Sequence, residues 1–204
     1  SDKRHRVMIG DIMTANVDDL MMGGVADIVY SDPPWGDSNL KYWHTIKERH
    51  KGAYQGEKIS NRADHFDLKW IDFLDRFCET VYNYSKGVVF VEIGNKWVDD
   101  LKDVMGMEQF GIIEQARWSV RYRSGYKVLP NTLWFGVNKY CDFNAGFVGS
   151  PEGLHGRLVV EWALSQVGSP GKTVLDPCCG EGMTGRITHK LGMKFRGLEL
   201  NPKR

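Results

Sequence analysis

The stretch Thr173-Val174-Leu175-Asp176-Pro177-Cys178-Cys179-Gly180-Glu181-Gly182-Met183-Thr184-Gly185 decides the fold. An apolar run ends in an acid, turns through two glycines and enters a segment that reads as a helix. Strand, glycine turn and helix in that order build a cofactor site. Gly180 and Gly182 permit positive φ and let the backbone approach a ligand, and the amides of the following helix start face whatever lies there. The next strand leads into Glu199-Leu200-Asn201-Pro202, placing an acid where ribose hydroxyls need an acceptor. Together the two strands point to an adenosine-containing cofactor.

Outward from this unit, short β-rich runs alternate with amphipathic stretches, the pattern of a sheet covered by helices. Strands are predicted over Arg6–Ile9, Ala26–Ser31, Gly87–Ile93, Gly111–Val120, Thr132–Val137, Thr173–Leu175 and Lys194–Leu198. Several are continuously apolar, as expected when both faces are buried. Phe66, Trp70, Leu74, Phe77, Val81 and Tyr84 recur at spacings of three and four and mark a helical stripe. Further helices are predicted over Lys96–Met105, Leu154–Gln166 and Met183–Leu191, the last closed by Gly192. Residues 36–65 lack periodicity and read as a long loop suited to substrate binding. The expected fold class is α/β: a seven-stranded, mostly parallel, Rossmann-like sheet with helices on both faces and one antiparallel strand in a hairpin over 111–137.

Composition bounds the rest. With 204 residues, 42% hydrophobic and 12% aromatic, the chain reads as one folded domain, 1–204, rather than a disordered segment. No apolar run approaches the roughly 20 residues of a membrane span, and no apolar stretch follows Ser1-Asp2-Lys3-Arg4-His5-Arg6 as in a secretory signal. The four cysteines, Cys78, Cys141, Cys178 and Cys179, form no spaced pair for zinc, and the six histidines add no metal spacing. A cytoplasmic protein without metal or membrane partner is expected. Cys178 and Cys179 read as small apolar fillers of the turn, not as nucleophiles.

A second motif lies near the other end. Ala26-Asp27-Ile28-Val29-Tyr30-Ser31 is an apolar strand that runs into Asp32-Pro33-Pro34-Trp35. Proline fixes φ and lacks an amide hydrogen, so the carbonyls around Pro33 and Pro34 are left to accept hydrogen bonds beside the Asp32 carboxylate and the Trp35 face. Such a pocket suits a planar amine. Core packing is the other role open to Trp35.

These two motifs resemble the catalytic and cofactor motifs of the S-adenosylmethionine-dependent amino methyltransferases that modify adenine N6 or cytosine N4 in DNA. The catalytic motif precedes the cofactor motif, which resembles the permuted β group of that family, and Gly10-Asp11-Ile12 fits its opening. The resemblance implies a Rossmann-like methyltransferase fold, S-adenosylmethionine as cofactor and transfer to adenine N6 of a flipped base. It implies that Asp32 and the Pro33 carbonyl accept the amino hydrogens, with Pro34 shaping the turn and Trp35 stacking on the base. It assigns Asp176, Gly180 and Gly182 to the methionine moiety, Glu199 to the ribose, and Asp11 with Ile12 to the adenine, with Pro177, Cys178 and Asn201 also among the cofactor-binding residues. Asp11 can equally be a strand-end cap. Where the family has a lysine-proline-like start to a helix near the methionine carboxylate, this chain has His155-Gly156-Arg157, which leaves Gly156 and Arg157 as weaker assignments. Asp rather than Ser at the head of the motif favours adenine; cytosine N4, RNA adenosine and a catalytically silent nucleic-acid-binding subunit are the rivals. The resemblance also places the chain among bacterial or phage enzymes, with a restriction partner as one context.

The formal charge of +1 hides an asymmetry. Residues 64–108 hold ten acids against five bases, leaving +6 for the remainder. Arg117, Arg121, Arg123 and Lys127 lie on the proposed hairpin, interleaved with Trp118, Tyr122 and Tyr126, and Lys41 and Arg49 lie in 36–65. Basic groups with aromatics suit phosphates and unstacked bases; the alternative is a solvated hairpin whose arginines discourage edge pairing. No separate large target-recognition domain is visible, so specificity is expected from 36–65, the hairpin, a homodimer or a specificity partner.

Overall fold

The computed structural model describes residues 4–45, 68–124, 126–143 and 146–201. Its frame is a seven-stranded sheet in the order β1-β7-β6-β2-β3-β5-β4. The strands are β1 (His5–Ile9), β2 (Ala26–Ser31), β3 (Ser85–Ile93), β4 (Ile112–Ser124), β5 (Lys127–Asn138), β6 (Thr173–Asp176) and β7 (Lys194–Glu199). Neighbours from β1 to β3 pair in parallel, and β5 runs antiparallel between β3 and β4. The α/β class, the seven strands and the antiparallel strand read from the sequence are all present.

Helices cover both faces: α1 (Val17–Met21), α2 (Gly36–Thr45), α3 (Trp70–Tyr84), α4 (Val98–Met105), α5 (Arg157–Val167) and α6 (Met183–Lys190). On one face Leu20, Leu40, Phe77 and Leu101 pack with Val29, Val89 and Leu175 of the sheet. On the other, Val160, Ala163, Leu164 and Ile187 pack with Ile28, Phe90 and Val174. Adjacent strand residues therefore enter opposite cores, which explains why β2 and β3 are continuously apolar. Burying each large apolar side chain contributes about 1.5–3 kcal/mol.

The structure corrects several sequence-based boundaries. Residues 36–45 form helix α2, not loop. Only Leu40 of this segment is a fully buried apolar residue, so no apolar period betrays it. It is held by polar contacts instead: Asp37 accepts the Trp70 amide at 2.7 Å, and Asn39 accepts the Trp35 amide and the Trp43 indole N–H, each at 3.1 Å. The rest of 36–65, with Arg49, lies outside the described residues, as does Phe66 of the predicted α3 stripe. Helix α5 begins at Arg157 rather than 154 because Gly156, with φ 51° and ψ −126°, is not helical. A 3-10 turn, Asn95–Trp97, precedes α4. Helix α1 has no counterpart among the predictions.

The hairpin is longer than its apolar pattern suggested. Pairing of β5 with β3 stops at Thr132, while pairing with β4 continues to Lys127, so the hairpin projects beyond the sheet as a two-stranded arm. Lys127 to Pro130 are exposed there, which removes the alternation that marks a half-buried strand. Pro130 sits in this arm, where no third strand requires its missing donor.

From β6 the chain crosses through α6 to β7, and from β2 it passes in the opposite direction to β3. The carboxyl ends of β6 and β2 therefore flank a topological switch point, where an open α/β sheet leaves a crevice.

Candidate active site

A cleft of about 620 Å³ opens at this switch point, in the range of small-molecule sites. One wall is the turn after β6. Gly180 and Gly182 have φ 51° and 73°, the conformation for which only glycine avoids a Cβ clash. Nothing lies within 4 Å of where a Cβ of Gly182 would stand, so the space above the turn is open. Asp176, 2% exposed, accepts the Ser31 hydroxyl at 2.8 Å and the Cys178 amide at 3.1 Å. These bonds stiffen the turn against β2. Glu199, 8% exposed, accepts the Asn201 amide at 2.8 Å, and both residues line the cleft. Pro177, Cys178 and Gly156 also line it.

Asp11 and Ile12 reach the same cleft from the end of β1. The Asp11 carboxylate accepts the Met13 amide at 3.0 Å, and its backbone carbonyl accepts the amides of Thr14 and Ala15. Asp11 therefore organises the turn after β1 while one carboxylate oxygen lies 3.4 Å from His44 Nε2. Arg157 turns away to Glu161 at 2.7 Å and is not among the cleft residues.

The opposite wall comes from the end of β2. Asp32, Pro34 and Trp35 line the cleft, whereas Pro33 is buried. The carbonyl of Pro34 is not left open as the sequence suggested: it accepts the Trp70 indole N–H at 2.9 Å. Trp35 meets the hairpin residue Tyr122 edge-on, centroids 5.0 Å apart at 71°. Tyr122 and Arg123 thereby close the cleft from the arm beyond the sheet. A side chain at Gly36, φ 73°, would collide with the Trp97 ring, so glycine alone lets the chain turn from Trp35 into α2.

Sequence reasoning missed the floor of the cleft. Glu92, 5% exposed, and Tyr30 both line it, and the Tyr30 hydroxyl donates to the Glu92 carboxylate. Parallel pairing of Ser31 with Val91 sets Asp32 and Glu92 level on neighbouring strands. The missed signal was one ionisable residue in the otherwise apolar run Val88-Val89-Phe90-Val91-Glu92-Ile93. Burial raises Glu92 to about 7, against the lowering by the Tyr30 hydroxyl and with further raising by Asp176. Burial likewise raises Asp176 to about 6, against hydrogen bonds from Thr184, Ser31 and Cys178. Asp32 is pushed upward by removal from water and by Glu92 and Asp176, and the Trp35 side chain opposes this. Asp32 opens to the solvent of the cleft while Glu92 is 5% exposed, so burial acts more strongly on Glu92. Burial pushes the Cys178 and Cys179 thiols up, which keeps both neutral. Among the described residues no His, Cys, Asp or Glu trio is placed to hold a metal ion.

The basic residues divide. Arg117 is ion-paired to Glu114 at 2.8 Å and to Asp99 at 3.1 Å, so its charge is matched within the protein. Trp118 is not on a basic face either: it packs with Phe147 and Trp162, at 5.2 and 5.1 Å, on the second core. Arg121, Arg123 and Lys127 are exposed on the arm beside Tyr126, and Lys41 is exposed on α2. No described helix is long and apolar enough to cross a membrane.

No family model and no curated protein matches this chain. Solved structures do. The M1.HpyAVI–SAM complex superposes with a TM-score of 0.62 at 15% identity, over 98% of this chain and 94% of that one. TTHA0409 of Thermus thermophilus, complexed with S-adenosyl-L-methionine, gives 0.61 at 14%, over 98% and 89%. The cytosine-N4-specific PvuII DNA methyltransferase gives 0.61 at 13%, over 97% and 82%. The chain thus has the Rossmann-like fold of these structures, PvuII DNA methyltransferase among them, along nearly its whole length.

Proposed function

We propose that the protein is an S-adenosylmethionine-dependent DNA methyltransferase acting on adenine N6. The observation that carries this reading is one cleft, at the switch point, lined by both Asp32, Pro34 and Trp35 and the turn from Asp176 to Glu181, with Gly180 at its centre. The donor set fits a cation with a ribose: Asp176, Glu92 and Glu199 are acidic, line the cleft, and have no ion-pair partner among the described residues. Fold similarity to the SAM-bound M1.HpyAVI structure supports the same cofactor.

In this reading S-adenosylmethionine supplies the methyl group: the N–CH₃ bond forms as the S–CH₃ bond breaks, and sulfur keeps the electron pair. Glu199 accepts the ribose hydroxyls, Asp11 and Ile12 border the adenine, and the turn from Asp176 to Gly182 holds the methionine end. Asp32, as a carboxylate, accepts a hydrogen of the exocyclic amine, turns its lone pair toward the methyl group and takes the proton released on transfer. The gain comes from alignment and from stabilising the positive charge that develops on nitrogen. Trp35 stacks on the extruded base; such stacking contributes about 1–3 kcal/mol. Arg121, Arg123 and Lys127 on the arm, with Lys41, approach the phosphates.

Cytosine N4 is the second reading, favoured by the similarity to PvuII DNA methyltransferase. Incubating unmethylated DNA with protein and cofactor, followed by nucleoside mass spectrometry, separates the two. N6-methyladenine is the expected product, N4-methylcytosine supports the second reading, and the absence of both refutes the activity.

A further inference from the structure

We infer that Glu92 makes the cleft sense the charge of its ligand, so that it prefers a sulfonium over the neutral thioether left after methyl transfer. The inference rests on the proposed activity and extends it. Methyl transfer changes the cofactor mainly in one respect: sulfur loses a methyl group and its positive charge. A site that binds the two forms equally well would be held by its own product.

The geometry that separates them is the floor of the cleft. Glu92 is the next-to-last residue of β3, level with Asp32 just past β2, and the group that donates to it is the neutral Tyr30 hydroxyl. The groups facing it are Tyr30 and Asp32 from β2 and Asp176 from β6, with Leu133 opposite on β5. From the rim come His155, just ahead of α5, and Arg123 on the arm. The ion pairs among the described residues join neither Glu92 nor Asp176 to a cation. A folded protein rarely leaves buried carboxylates without a cation partner. Here the arriving ligand is that partner, and the 620 Å³ cleft supplies room for the rest of it.

Charge sensing then works through a proton. With the cleft empty, Glu92 titrates near neutrality. A cation beside it favours the carboxylate form, so binding expels the proton; a neutral thioether leaves the proton in place. Affinity for the cation therefore rises with pH through the titration, and affinity for the thioether does not.

Isothermal titration calorimetry tests this directly. S-adenosylmethionine and S-adenosylhomocysteine are each titrated at pH 7 in two buffers of different ionisation enthalpy, and again across about pH 6 to 8. The wild type should release up to about half a proton per S-adenosylmethionine and close to none per S-adenosylhomocysteine, since a group at about 7 is half protonated at that pH. The affinity ratio of the two should climb about fivefold over the range, which corresponds to the ligand lowering the Glu92 pKa by about one. Glu92→Gln should abolish the release and flatten the ratio. Tyr30→Phe, which removes the bond favouring the carboxylate, should move the release to higher pH and guards against a folding defect in the first variant. Equal proton release by both ligands, or unchanged release in Glu92→Gln, overturns the inference and leaves the methyltransferase reading standing. Failure of S-adenosylmethionine to bind overturns that reading and this inference with it.

Discussion

The Glu92→Gln substitution also makes a prediction that needs no ligand. An ordinary glutamate titrates at 4.5, and in the fold Glu92 is raised to about 7, mainly by burial. The folded protein thus binds a proton that the unfolded chain has released, so this contribution to stability is fully present below about 4.5 and is lost as pH rises through about 7. At 1.36 kcal/mol per pH unit, the difference amounts to about 3 kcal/mol. Glutamine keeps the shape and can still accept the Tyr30 hydroxyl, but carries no charge at any pH. The variant should match the wild type near pH 4.5 and exceed it by about 3 kcal/mol at about pH 8. Asp176, raised to about 6, contributes in the same sense to both proteins. Urea unfolding of the two proteins at about pH 4.5, 6 and 8 measures the difference, with the denaturant slope checking that the unfolded states are comparable. A stability difference that stays constant across that range would show that Glu92 is ionised or protonated throughout, and would rule out its titration near neutrality.

Three further outcomes follow from the same geometry. Asp32→Asn should slow methyl transfer roughly ten- to hundredfold while leaving S-adenosylmethionine affinity nearly intact, because a charge-assisted hydrogen bond contributes about 1.5–3 kcal/mol; single-turnover rates and calorimetry check the two halves, and unchanged turnover removes Asp32 from the reaction. Gly182→Ala forces a Cβ onto a residue at φ 73° and should cost about 1–2 kcal/mol by thermal or urea unfolding, along with cofactor affinity; a variant as stable as wild type would mean that the turn relaxes out of the left-handed region. Arg121→Glu with Arg123→Glu should weaken DNA binding and lower the salt slope by about 2, whereas Arg117→Glu, at a residue already paired to Glu114 and Asp99, should leave the slope unchanged in a filter-binding titration.

The amino-acid sequence by itself determined the frame of this protein. Apolar runs buried on both faces, the α3 stripe and the glycine turn are local patterns, and each strand followed because period and turn chemistry act over a few residues. The same locality made Asp32, Trp35, Asp176, Gly182 and Glu199 legible, since each sits at a strand end beside a proline or a glycine, or within two or three residues of one. What depended on contacts across the chain was decided only by the tertiary structure. Helix α2 is pinned by Asp37 to the start of α3, 33 residues away, and no apolar period marks it. The charge of Arg117 is matched by Asp99, 18 residues away. Glu92 looked like an irregularity in an apolar strand until the parallel pairing of β2 with β3 set it beside Asp32 and under Tyr30. A carboxylate's pKa depends on its burial and its neighbours, and those are fixed by packing between segments 62 and 145 residues apart.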